Sequence, residues 1–115
     1  MRNDPPPPAP RVRKGHGERL RDAVLAMCAG KARVASHREQ NWASITLAGA
    51  RHRLELVFEG REQVDAGELL IAALPEHEFT IPGQLVAEAT VSAVDHRLDP
   101  PRLEVTCELL LLEES

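Results

Sequence analysis

The chain has 115 residues and a net charge of −4, which is enough for one domain and too short for two. Residues 1–40 carry nine Lys and Arg against four Asp and Glu, whereas residues 41–115 carry five against fourteen. The chain as a whole has no basic excess, which argues against a dedicated nucleic-acid-binding protein. No apolar run approaches the roughly 20 residues of a membrane-spanning helix, so no membrane span is predicted.

The N-terminal segment has a composition of its own. Residues 1–10 hold five of the nine prolines, and Arg11, Arg13 and Lys14 follow as a basic cluster. This composition predicts a disordered, Pro-rich basic arm over residues 1–16, followed by a single α+β domain over residues 17–115. The absence of an early apolar stretch, and two cysteines far apart, favour a reducing cytoplasm. Twelve Arg against two Lys suggests a GC-rich bacterial genome.

The first predicted element is a helix over residues 18–29. Leu20, Val24, Met27 and Cys28 follow the i, i+4, i+7, i+8 spacing of one helical face. Gly30 is a natural C-terminal stop. The apolar stripe predicts that this helix packs on the core.

Three strands are predicted next, over residues 32–37, 42–48 and 51–59. Gly49-Ala50 lies between the second and third as a two-residue loop with Gly first, which is typical of a type II′ hairpin turn. In that register Ile45 faces Leu54, so apolar residues oppose one another on one face.

A second helix is predicted before Pro75. Residues 65–68 have the D-x-x-E form of a capping signal, and residues 69–74 are a continuous apolar run. A strand over residues 68–73 is the alternative, because periodicity alone does not assign a short apolar run.

Two long strands are predicted at the C-terminal end of the chain, with residues 85–94 and 103–112 alternating. A three-residue loop, Asp99 to Pro101, places Val91 opposite Leu109 and keeps apolar residues on one face. A two-residue loop would pair Val94 with Val105 and mix the faces, which argues against it.

The predicted fold is a two-layer α+β domain with a five-stranded antiparallel sheet and two helices on one face, in the order α-β-β-β-α-β-β. This order resembles that of the small homodimeric chaperones of bacterial type III secretion, although their final helix is missing. The resemblance is one of element order and implies a homodimeric, chaperone-like protein. The outer sheet face also carries apolar residues that a partner would cover, and self-association is the preferred cover: Trp42, Val57, Val86, Val94, Leu110 and Leu112.

Chemistry-bearing motifs are sparse. No histidine lies in a metal or catalytic motif, and no catalytic residue or cofactor is predicted. The most site-like cluster is Glu76-His77-Glu78, which would need His37 or His96 brought near by the fold to hold a metal. His52 shares the parity of the core residues and is predicted to be a hydrogen-bonded structural histidine.

The predicted function is a small cytoplasmic, non-catalytic binding or chaperone-like module that dimerises through its open sheet face. Trp42, Val57, Leu110 and Leu112 are its candidate interface residues, and another protein is a possible partner. The alternative is a small enzyme or metal-dependent ligand-binding protein that uses the Glu76-His77-Glu78 loop, with His77, Glu76 and His37 as weak metal candidates.

Overall fold

A computed structural model describes residues 15–114, which form two helices and a four-stranded antiparallel sheet. The α+β class is confirmed, but the prediction of five strands is wrong. The sheet has the order β1-β2-β4-β3. In chain order the elements are α1 (His16–Met27), β1 (Arg33–Ala43), β2 (Ala48–Glu59), α2 (Arg61–Ala73), a short 3-10 helix (Leu74–Glu76), β3 (Gln84–Leu98) and β4 (Pro101–Glu113).

The missing strand results from a misplaced turn. The predicted strand over residues 32–37 continues without a break into the first two residues of the predicted strand over 42–48, and together they form β1; the rest of the second predicted strand is a turn at residues 44–47 and the first residue of β2. In this turn the Ser44 N–H donates to the Leu47 carbonyl at 2.7 Å, and the Leu47 N–H donates to the Ser44 hydroxyl at 3.1 Å. Gly49 lies inside β2, opposite Trp42 and Leu112. A glycine is needed at this position because the Leu111 backbone approaches too closely for a side chain. Ile45 is therefore fully exposed in the turn and does not face Leu54.

The β3–β4 register also differs from the prediction. The hairpin has a two-residue loop, since Leu98 pairs with Pro101 and Val94 with Val105. Two bulges in β3, at residues 86–88 and 91–93, each shift the register by one residue. Between the two bulges Val91 lies opposite Cys107 and Ala89 opposite Leu109, so the bulge at residues 91–93 restores apolar residues to the helix-covered face. The prediction assumed that side chains alternate strictly between the two faces of the sheet, and a bulge interrupts that alternation.

Both helices cover the same face of the sheet and close one core. α1 buries Leu20 and Val24, and Cys28 just beyond it is also buried. α2 runs from Arg61 to Ala73, so the helix prediction before Pro75 is confirmed and the strand alternative is wrong. The helix begins before the predicted capping signal at residues 65–68, which lies inside it. Gly67 of α2 allows close packing, because a Cβ there would lie 2.6 Å from Leu103 Cδ2 and 2.8 Å from Phe58 Cδ2.

The observed element order, α-β-β-α-β-β, has two strands between the helices instead of three. The resemblance to type III secretion chaperones therefore loses its basis. The predicted arm over residues 1–16 falls almost entirely outside the described residues, and its last residue, His16, begins α1. Neither helix in residues 15–114 has the length and apolar character that a membrane crossing requires.

Candidate interaction surface

The outer face of the sheet, opposite the helices, is mostly charged. Four interface residues were predicted for this face, and the pairing register places all four there: Trp42, Val57, Leu110 and Leu112. Val86 and Val94 were also expected on the outer face, but they lie on the helix side, opposite the buried Leu111 and Val105. The apolar part of the outer face is therefore smaller than the sequence pattern predicts.

Leu110 is covered by the charged side chains of its own chain. Arg51 and Glu88 both lie opposite Leu110 in the register, one on each side. Their ion pair, 3.6 Å between Arg51 Nη1 and Glu88 Oε2, crosses over the leucine, which is only 7% exposed. The aliphatic stems of such residues bury apolar surface while their charged ends stay in water.

Val57, at the opposite end of the same face, is 6% exposed and is covered in a similar way. It is flanked by Arg33 on β1 and Glu104 on β4. Arg102 joins this group, donating to Glu59 at 2.7 Å and to Glu104 at 2.8 Å, and Arg33 lies 3.5 Å from Glu59. A partner is not needed to remove Val57 from water.

An apolar strip does remain open at one end of the outer face. Trp42, Gly49, Leu112 and Leu85 form one row across all four strands. Leu85 is 54% exposed, and Trp42 and Leu112 are half-buried. In the adjoining β1–β2 turn, Ile45 is fully exposed and Leu47 is 45% exposed. We define the apolar strip as these five side chains: Trp42, Ile45, Leu47, Leu85 and Leu112.

A shallow cleft of about 470 Å³ lies beside the strip on the same sheet. Arg38, Arg51 and Arg53 line it together with three glutamates at positions 39, 88 and 108. Opposite charges are balanced in this cleft, so it offers no net field to attract a small anion or cation. Arg38 and Arg53 are direct cross-strand neighbours with like charges, which is an unfavourable pairing within the chain.

The proposed metal candidates do not come together. His77 packs edge-on against Phe79, with ring centroids 4.5 Å apart, on the connector after α2. His37 instead contacts His52, Nε2 to Nδ1 at 2.9 Å. Within residues 15–114, no group of three His, Cys, Asp or Glu side chains is arranged to hold a metal ion.

His37 and His52 form a histidine pair under α1, of which the sequence predicted only the role of His52. His52 is 2% exposed and hydrogen-bonded to His37, consistent with a structural histidine, but the pairing with His37 was missed. His52 Nε2 also lies 4.0 Å from Glu39 Oε1. Gly17 of α1 packs over both rings, since a Cβ there would lie 3.3 Å from His37 and 3.4 Å from His52. The pair connects the β1–β2 hairpin to the start of α1.

Burial lowers the pKa of both histidines from the ordinary 6.5. For His52 the Glu39 carboxylate opposes this shift, whereas His37 and His16 add to it; for His37, Arg21 adds to it and Glu39 opposes it. The folded pair is therefore a neutral pair above pH 6.5, with one imidazole donating to the other.

The histidine pair makes the fold sensitive to acid. Below pH 6.5 the unfolded chain binds protons that the folded pair resists, so the free energy of unfolding falls as the pH drops from 6.5 toward the lowered folded-state pKa. Each such histidine adds a slope of up to about 1.4 kcal/mol per pH unit. We expect His37→Gln to flatten this slope in urea titrations between pH 7.5 and 5, with His77→Gln, a histidine change outside the pair, as the control. Equal slopes for wild type and His37→Gln would contradict this role.

The two cysteines, Cys28 and Cys107, are free and buried. Burial raises the pKa of the Cys28 thiol, and it raises the pKa of Cys107 to about 12, with a further contribution from Cys28. Both thiols are protonated at neutral pH and act as small core side chains rather than as nucleophiles.

Comparisons with known proteins give a fold and no family. No family model and no curated protein matches the chain. The chain is similar in structure to a chain from the virion of a native gene transfer agent particle, with a TM-score of 0.51 and 15% sequence identity. The likeness covers 87% of this chain and 92% of that chain. At this identity the likeness shows a shared fold alone.

Proposed function

We propose that this chain is a small, non-catalytic protein-binding module that associates with a second copy and docks apolar segments of a partner protein on the apolar strip. The observation that carries the proposal is the strip itself: apolar side chains from three strands and one turn are left open, while ion pairs cover Leu110 and Val57 elsewhere on the same face. Exposed apolar patches with polar surroundings are typical of docking sites.

Two further observations support the proposal. The structural neighbour belongs to a virion particle, so its fold serves in an assembly. Tryptophan is the residue most enriched in binding hot spots, and the single tryptophan of this chain, Trp42, lies at the end of the strip. A cytoplasmic location fits the two free, buried cysteines and belongs to the proposal.

The strip is tested by removing its two most accessible turn residues together. The double change Ile45→Ser and Leu47→Ser leaves the core untouched, since both side chains lie in the exposed β1–β2 turn. We expect wild type to suppress the aggregation of reduced insulin, a defined source of unfolded apolar segments, and the double variant to be roughly tenfold less effective. Turbidity at increasing molar ratios measures the difference.

A matched control is Leu98→Ser, which removes an 81% exposed leucine from the β3–β4 hairpin at the opposite end of the sheet. This variant should suppress aggregation as well as wild type does. Wild type without any effect on insulin, or a double variant as effective as wild type, would contradict docking on the strip.

A further inference from the structure

The two edge strands of the sheet differ in how well they are protected against pairing. β3 carries two bulges, which interrupt the regular spacing of its backbone groups. β1 carries one irregularity near its start, at residues 34–36, and is regular from Ser36 to Ala43. Within residues 15–114, no backbone hydrogen bond from outside the β1–β2 pair reaches residues 36–43. The β1 edge is therefore a regular, open template for another strand.

We propose that β1 pairs in antiparallel orientation with β1 of a second copy, which joins two four-stranded sheets into one continuous sheet. This inference rests on the self-association in the proposed function and names the contact that makes it. A two-fold symmetric contact requires a surface that is complementary to itself. The side chains of β1 meet this requirement in one register, and a second copy is therefore the proposed occupant.

In a symmetric antiparallel pair one residue of each strand must lie opposite its own copy, since directly opposed side chains share a face. Arg38 or Glu39 at that centre would oppose like charges, which is destabilising. With Asn41 at the centre, the regular pairing would be cut short by the turn after Ala43. With His37 at the centre, it would be cut short by the bulge before Ser36. Gln40 at the centre allows a regular ladder over residues 37–43.

The side chains of β1 fit this register. Gln40 opposes its own copy, and an amide both donates and accepts hydrogen bonds. Glu39 lies opposite Asn41 of the second copy, where the amide donates to the carboxylate. Arg38 lies opposite Trp42 of the second copy on the outer face, where a guanidinium contacts an indole favourably. Arg38 has no ion pair with any of residues 15–114 and faces only Arg53 within its own sheet, so the second copy supplies the partner it lacks.

The symmetry axis of this pairing is perpendicular to the sheet, because the same face of both copies must point the same way. The two apolar strips therefore lie on one side of the joined sheet. Such a dimer presents two docking sites to one partner, which strengthens binding without further contacts.

The test compares two lysine substitutions on the outer face. Gln40→Lys places two like charges at the centre of the proposed contact, whereas Thr90→Lys adds the same charge to an exposed position on β3, the other edge strand. We expect sedimentation of full-length protein to show a dimer for wild type and for Thr90→Lys, and a dissociation constant raised roughly tenfold or more for Gln40→Lys.

Cross-linking tests the register directly. A Gln40→Cys variant places two thiols opposite one another at strand-pair distance, within the span of a disulfide. We expect mild oxidation to give a covalent dimer for Gln40→Cys, but not for Thr90→Cys or for wild type, whose cysteines are buried.

The outcomes separate this inference from the proposed function. A dimer that Leu112→Glu dissociates but Gln40→Lys does not would overturn the β1 contact and leave self-association through the outer face. A full-length protein that stays monomeric, and that dimerises only when residues 1–14 are deleted, would overturn the β1 contact for the full-length chain. A monomer in every case would overturn both the contact and the self-association.

Discussion

Replacing Gly49 with alanine is expected to destabilise the fold by about 3 kcal/mol or more, a large part of the roughly 5–15 kcal/mol typical of a small domain. A Cβ at position 49 would overlap the carbonyl oxygen of Leu111 and lie 2.9 Å from the Leu111 carbonyl carbon and from Leu112 Cα. These are backbone atoms of β4, so relief requires the two central strands of the sheet to separate. Urea unfolding followed by circular dichroism measures the loss.

The control for this prediction is Gly15→Ala, at the start of α1. No atom lies within 4 Å of a Cβ built there, and the residue has a negative φ of −68°. The cost should stay below about 1 kcal/mol, the scale of an N-cap change. A Gly49→Ala protein as stable as the Gly15→Ala protein would show that β2 and β4 are not held in close backbone contact at Gly49.

Replacing Phe58 with alanine is expected to cost about 3–5 kcal/mol, because the ring is fully buried and leaves a cavity. Phe58 lies opposite Leu103 in β4 and packs against the glycine of α2, Gly67. The ring therefore fills the space that the missing side chain of Gly67 leaves between helix and sheet, and truncation removes contacts on both sides. Thermal and urea unfolding of the same samples measure the change.

Leu98→Ala is the comparison for Phe58→Ala. Leu98 is 81% exposed at the β3–β4 hairpin, and its truncation should change the free energy of unfolding by no more than about 0.5 kcal/mol. A Phe58→Ala cost below about 1 kcal/mol would mean that the helix collapses onto the sheet and refills the cavity.

The interaction surface illustrates which parts of a site a pattern can reveal. The parity of Trp42, Leu110 and Leu112 correctly placed them on the outer face, because side chains in a strand alternate. The same parity did not show that Arg51 and Glu88 cover Leu110, since these residues come from strands 37 positions apart in the chain. The exposure of Leu110 depends on side chains from three neighbouring strands, so the alternation within one strand does not predict it.

The sequence by itself determined the helix face of Leu20 and Val24 and the buried alternation of β2 and β4. Each of these is a local period of hydrophobic residues within one element. Only the tertiary structure decided that Gly49 serves a close strand contact rather than a turn, that β3 bulges twice, and that His37 pairs with His52. These features depend on residues distant in sequence that approach only when the sheet and α1 assemble. The sequence of any single element therefore does not predict these three features.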